Sequence, residues 1–269
     1  MTTHFKIIIP CYNVASFIGN TIDSVKQQTF KDFECIIIDD ASTDTTPKII
    51  ENIISDDPRF KLIRNTKKAY SHLQNIHKGI CMSNPKNSDV IVNLDGDDRF
   101  YTSSALKVLN KIYSEQEAWL TYCSFIDTNG NVWEECSKPI PEHVYESNSF
   151  RIHRWQATHL RSYKFGLFKK IKIDAFISPS DGNFFKAAVD VALMMPMLEM
   201  AGHRAVHVSD ILYEYNLNNP LSFYSQGKHE LQLKYFHEIT TLLTPYENLI
   251  SIDDDPNNDS ICYIPLGGL

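Results

Sequence analysis

None of the ten glycines in this 269-residue chain forms GxGxxG, and GxxxxGK followed by Ser or Thr is absent. The first absence removes the dinucleotide fingerprint and the second removes the P-loop. The six cysteines contain no CxxC pair, and several sit inside apolar runs where a thiol acts as a small hydrophobe, so a reduced setting is expected. Basic charge is in deficit: 26 lysines and arginines face 33 aspartates and glutamates, for a net charge of -7. That balance argues against an overall footprint for nucleic acid or anionic membrane. "MTTHF" is short and polar before "KIIIP", so no standard export signal is expected. The longest apolar stretch, 187–202, is broken by Asp190, Pro196 and Glu199 and is too short for a bilayer. It reads as a buried helix, and a cytoplasmic protein with no transmembrane segment is expected.

What is present is a composition for burial, 43% hydrophobic and 22% charged, enough for a full core. Over the first hundred residues, β-branched runs alternate with helical periods, as a parallel sheet with crossover helices requires. Strands are expected at 6–10, 33–39, 60–65 and 89–95, each apolar enough to be covered on both faces. Val14, Phe17, Ile18, Ile22 and Val25 mark one amphipathic crossover helix. A second opens at "STDTTPK", where Ser42, Thr43 or Asp44 can cap and Pro47 suits the first turn. A third runs from about Tyr70 to Cys81. Beyond Asp98 the pattern predicts a helix over 104–115, a strand over 118–126 and an irregular segment over 130–160. The end, 251–269, reads as a loosely held tail.

Ligands of open parallel sheets sit at the carboxyl ends of the strands. There the chain carries "PCYN" (10–13), "DDASTD" (39–44), "RNTKK" (64–68) and "DGDD" (95–98). Asp95, Asp97 and Asp98 would repel a phosphate, but a divalent cation between carboxylates reverses the local sign, and hard oxygen ligands suit Mg2+ or Mn2+. Lys67 and Lys68 are either phosphate partners or a solvated pair. A calcium loop is poorly matched because Gly96 lies inside the carboxylates and the distal glutamate is absent.

Four linked motifs, P-x-Y-N, Q-T-F-x-D-F-E, D-D-x-S-x-D and D-x-D-D, occur in that order. On them the chain resembles a family 2 glycosyltransferase of the GT-A fold. The resemblance implies an α/β domain with a Rossmann-like, mostly parallel sheet flanked by helices. Residues 1–100 would form the nucleotide-sugar half, 101–225 the acceptor half, and 226–269 a C-terminal helix and tail. It further implies that Pro10 and Tyr12 border the base of a nucleoside diphosphate sugar, commonly a UDP-sugar, and that Asp40 bonds the base above a turn supported by Asp39. Asp97 would lie near the ribose or metal, Asp98 would bind the Mn2+ or Mg2+, and Asp95 would be a further ligand or organiser. The family uses slightly different members of this cluster, so the direct ligand stays open.

Family members often carry Glu-Asp at the start of the acceptor-side helix, where this chain has Val189-Asp190. Asp190 is the expected base, with Asp181 in reserve, for an inverting single displacement onto the hydroxyl of a glycan, lipid or protein. His159, Arg161, Tyr213, Tyr215 and Asn216 are candidates for the acceptor side. The remaining histidines, His72 among them, lack metal-ligand spacing. Two rivals remain: a noncatalytic nucleotide-sugar or metal-binding module, and a sugar nucleotidyltransferase, whose glycine-rich, arginine-bearing loop "PCYNVAS" lacks.

Overall fold

The computed structural model describes residues 3–136, 138–222 and 225–253. In chain order the elements begin with β1 (Phe5–Cys11), α1 (Ile18–Lys26), β2 (Phe33–Asp39), α2 (Thr46–Ile54), β3 (Phe60–Arg64), α3 (His72–Met82) and β4 (Val90–Asn93). They continue with β5 (Arg99–Phe100), α4 (Ala105–Glu115), β6 (Leu120–Asp127), α5 (Glu142–Glu146), β7 (Arg161–Lys164) and α6 (Phe165–Phe168). Last come α7 (Val189–Ala201), β8 (Ala205–Tyr215) and α8 (His229–Thr241).

The eight strands of the described residues join one sheet in the order β3-β2-β1-β4-β7-β6-β8-β5. The pairings β1 with β2, β1 with β4, β2 with β3 and β6 with β8 are parallel; the other three are antiparallel. The period of two along a strand splits the isoleucines of β1. Ile7 and Ile9 pack with α1, α2 and α4, whereas Ile8 packs on the opposite face with α3 and α7. Cys35 and Ile37 of β2 divide from Ile36 and Ile38 in the same way. Burial on both faces is why these strands read as unbroken apolar runs.

The expected helices and first four strands are present, with two corrections. The first crossover helix starts at Ile18 because the Val14 carbonyl closes a turn onto the amides of Phe17 and Ile18. In addition, β7, which the sequence did not announce, inserts antiparallel between β4 and β6. Its residues, Arg-Ser-Tyr-Lys, lack the β-branched run that marks a strand. The 130–160 stretch is irregular apart from one turn of 3₁₀-helix at Glu134–Cys136 and the short α5. The 187–202 stretch forms α7, buried from Val191 to Ala201. Among the described residues no helix is long and apolar enough to cross a membrane. Cys11, Cys35, Cys123 and Cys136 are free thiols, whereas Cys81 is disulfide-bonded, which departs from the reduced state expected of the cysteines. Of the expected tail, 254–269 lies outside the described residues, Cys262 with it.

Candidate active site

The carboxyl ends of β1, β2 and β4 open into a cleft of about 600 Å³. The "PCYN" turn and the "DDASTD" turn brace each other across its rim. The Asn13 amide donates to Ser42 Oγ at 2.9 Å, and Asn13 Oδ1 accepts from the Thr43 amide at 2.8 Å. Asp44 does two jobs: Oδ1 accepts from the Thr46 amide at the start of α2, and Oδ2 from the Ala15 amide. Asn13 and Ala41 hold positive φ values of 51° and 57°, a local strain that bonded turns sustain.

Pro10, Tyr12 and Asp40 line one side of the cleft. Asp40 is buried, and its Oδ1 accepts from the Ala69 amide at 2.7 Å and from Asn65 Nδ2 at 2.8 Å. Lys68 Nζ stands 3.4 Å over the Tyr12 ring, whereas Lys67 is exposed outside the lining. Asp39 lies under the turn, 1% exposed and outside the cleft lining, with Oδ2 near the Ser42 amide and Arg64.

The acidic loop closes the floor. Gly96 is required there by space: a Cβ would stand 2.6 Å from Cys11 Cβ and 3.0 Å from the Pro10 carbonyl oxygen. The loop therefore rests directly against the end of β1. Its three carboxylates have different surroundings. Asp95 accepts from Arg161 at 3.0 Å and lies 3.1 Å from His72 Nε2. Burial alone would raise its pKa, but the Arg161 charge and the His72 contact outweigh burial and hold it well below the usual range. Asp97 lines the cleft half-buried, with Oδ2 accepting from Asn219 Nδ2 at 2.6 Å. Burial, aided by the charge of Asp95, raises its pKa despite the Asn219 hydrogen bond. Asp98 is 2% exposed, and its oxygens accept from the Tyr213 hydroxyl and, at 2.7 Å, the Asn216 amide. Burial first, then Asp97 and Asp95, pushes its pKa up. Asp98 thus ties the loop to the end of β8.

Asp190 sits in the first turn of α7, behind Ala188 with φ of 50°, and lines the same cleft as Asp40. Its Oδ2 accepts from Trp155 Nε1 at 2.7 Å. Burial raises its pKa, while Arg161 and Trp155 pull the other way. Asp181 is exposed outside the cleft lining and is held by the Tyr235 hydroxyl at 2.8 Å. His159, Arg161 and Tyr215 line the cleft, whereas Tyr213 and Asn216 lie behind it as partners of Asp98. Burial, then the Arg161 charge, lowers the His159 pKa to about 3, so the ring is neutral.

The sequence reading missed His72, Trp155 and Asn219. Ser71, whose side chain accepts from the Gln74 amide, caps α3 and puts His72 at its first position, a signal readable as S-x-x-Q. Trp155 and Asn219 lie in irregular chain with no comparable mark.

The family model described as glycosyl transferase family 2 matches residues 6–176, more than half of the chain. The chain belongs to glycosyltransferase family 2. Among curated relatives, this family 2 chain is 30% identical over 132 residues to the GalNAc(5)-diNAcBac-PP-undecaprenol beta-1,3-glucosyltransferase of Campylobacter jejuni, covering 49% of this chain and 41% of that protein. It is 25% identical over 193 residues to chondroitin synthase of Pasteurella multocida, covering 67% of this chain and 19% of the synthase. The chain thus spans less than half the length of either relative. Among solved structures, S. aureus TarS 1-349 superposes with a TM-score of 0.60 at 18% identity, over 88% of this chain and 72% of that one. The mannosyltransferase PcManGT from Pyrobaculum calidifontis, in complex with GDP-Man and Mn2+, gives 0.62 at 16% identity, over 91% and 66%. At such identities the likeness concerns the fold alone, which is GT-A.

Proposed function

We propose that the chain transfers a sugar from a nucleoside diphosphate sugar, a UDP-sugar first among candidates, to an acceptor hydroxyl by an inverting single displacement. The observation that carries the reading is that Asp190 and Asp97 line one cleft with Asp40, at strand ends where a GT-A sheet would take its ligand. Pro10 and Tyr12 border the nucleoside base, and Asp40 bonds it from the fixed position that Ala69 and Asn65 give its carboxyl.

The acidic loop suits a divalent cation. Asp97 and Asp95 are neighbouring carboxylates, and the pKa of Asp97 rises by burial and by the charge of Asp95, a strain that positive charge would relieve. Mg2+ and Mn2+ favour such hard oxygens, and Mg2+ is commonly held by one or two carboxylates plus substrate phosphates. Asp97 is the direct ligand in this reading, Asp95 an organiser and Asp98 the anchor of the loop, because both oxygens of Asp95 and of Asp98 are engaged. A bound ion supplies positive charge that favours departure of the nucleoside diphosphate.

Asp190 is the general base. Burial raises its proton affinity and Trp155 fixes its orientation. As the acceptor oxygen bonds to the anomeric carbon, its proton passes to Asp190. The bond from that carbon to the diphosphate oxygen breaks with its electron pair. Attack from the face opposite the leaving group inverts the carbon.

A thermal-shift screen of UDP- and GDP-sugars, with and without Mn2+, tests the donor. Selective stabilisation that depends on Mn2+ is expected. No shift with any nucleotide sugar would contradict the reading.

A further inference from the structure

Away from the cleft, the cysteines fall into two groups. Cys11, Cys35, Cys123 and Cys136 are free, and burial raises the pKa of each thiol. Thiols held protonated are poor partners in disulfide exchange, so these four stay as they are. Cys81 differs, being half-buried and disulfide-bonded. The structure is a single chain of six cysteines with four of them free, so the cysteine left to pair with Cys81 is Cys262.

The course of the described chain allows that pairing. Cys81 stands in the last turn of α3, just before the 83–89 connection to β4. A Cβ on Gly166 would stand 3.0 Å from the Ile252 carbonyl oxygen and 3.2 Å from the Asn87 carbonyl oxygen, so the end of the described chain lies against that connection. Ile252 is also buried in the same core cluster as Ile80, the neighbour of Cys81. Asn87 is six positions from Cys81, whereas Ile252 is ten positions from Cys262. At about 3.3–3.6 Å per extended residue, ten residues reach about 33 Å against a gap of at most about 22 Å. One turn before Cys81 on α3, His77 brings Nε2 to 3.7 Å from Cys81 Sγ. An imidazole there can take the proton of the reduced thiol and leave the thiolate that disulfide exchange requires.

We propose that Cys81 and Cys262 are a redox-responsive pair, joined as an intramolecular disulfide that ties the end of the chain to α3. Formation is exchange with an external disulfide, such as glutathione disulfide. One cysteine thiolate attacks it, forming a mixed disulfide and releasing one glutathione thiolate; the second cysteine attacks the mixed disulfide and releases the other. The two cysteine thiols lose two protons and two electrons in all, and the oxidant gains them as two thiols. The closed loop runs from 81 to 262 and contains the acidic loop, Asp190 and β8. Closing so long a loop restricts the unfolded chain and so stabilises the fold.

The test uses the full chain, purified under reductant, incubated with glutathione disulfide, blocked with iodoacetamide and mapped by mass spectrometry without reduction. A peptide pair joining Cys81 to Cys262 is expected, with the other four cysteines unlinked. Oxidation should raise the thermal midpoint by roughly 5–10 °C over the reduced protein, and Cys81→Ser and Cys262→Ser should each abolish that rise. Cys262→Ser serves alone if the α3 variant misfolds. Alkylation of both Cys81 and Cys262 after oxidation, or a link from either one to Cys136 or to glutathione, overturns the proposal. So does a disulfide dimer that Cys262→Ser abolishes, or a rise in the midpoint that Cys262→Ser leaves intact.

Discussion

Asp98→Ala should destabilise the fold, although the residue belongs to an acidic loop. The substitution removes the acceptor of the Tyr213 hydroxyl and of the Asn216 amide, both at a carboxylate only 2% exposed. An orphaned buried donor costs about 1–3 kcal/mol; the Asn216 amide loses its acceptor and the Tyr213 hydroxyl keeps only the longer contact with Asp95 Oδ2 at 3.4 Å, so the gross loss is about 2–4 kcal/mol. One effect opposes it. Burial, then Asp97 and Asp95, raises the pKa of Asp98 in the folded state. A carboxyl raised in this way adds stability below its unfolded pKa, about 3.9, and that stability is lost as pH rises through the folded value. At neutral pH the wild type therefore bears a penalty that the variant escapes, and the net loss is smaller than the gross one. The penalty vanishes on acidification, so the gap between variant and wild type should widen at lower pH. Urea unfolding followed by tryptophan fluorescence at about pH 8 and about pH 5 measures both quantities. A variant within about 0.5 kcal/mol of wild type at both pH values, or a wider gap at the higher pH, would refute the reasoning.

Asp40→Ala should weaken UDP binding by roughly 1.5–3 kcal/mol in calorimetric titration, through one lost charge-assisted hydrogen bond; unchanged affinity would remove Asp40 from the site. Arg151→Ala should cost about 3–5 kcal/mol in urea unfolding. It strands the fully buried Glu199 and releases the carbonyls of Ile239 and Leu243, so a near-neutral result would contradict the described burial. In the pH profile of kcat/KM, the acidic limb should lie above the range of an ordinary aspartate, because burial raises the pKa of Asp190 and the base works only deprotonated. Trp155→Phe removes a hydrogen bond to the charged form and should move that limb to higher pH; an unmoved limb would detach Trp155 from the base.

The fold of the first hundred residues was legible because its signals are local. Ile7 to Ile9 and Ile36 to Ile38 are apolar without break because both sheet faces are covered, and the turn residues follow each strand directly. The role of Asp98 was not legible, since its partners Tyr213 and Asn216 lie more than a hundred positions away and are brought in by the antiparallel contact of β5 with β8. Strand β7 was hidden for a related reason. Its Arg161 spends its charge on Asp95, so a residue that reads as exposed is 3% exposed inside the sheet. Asp190 was singled out by its resemblance to the Glu-Asp pattern of the family at a helix start, but its partner Trp155 sits in chain without period or cap.

Turnover of Asp190→Asn, with a donor identified by the thermal-shift screen and an acceptor hydroxyl compound, decides whether Asp190 is the base of a sugar transfer in this cleft. The amide keeps the shape and the Trp155 contact but removes basicity. Transfer should fall by roughly 10²- to 10⁴-fold while donor affinity stays near wild type. Wild-type turnover in this variant would contradict the account.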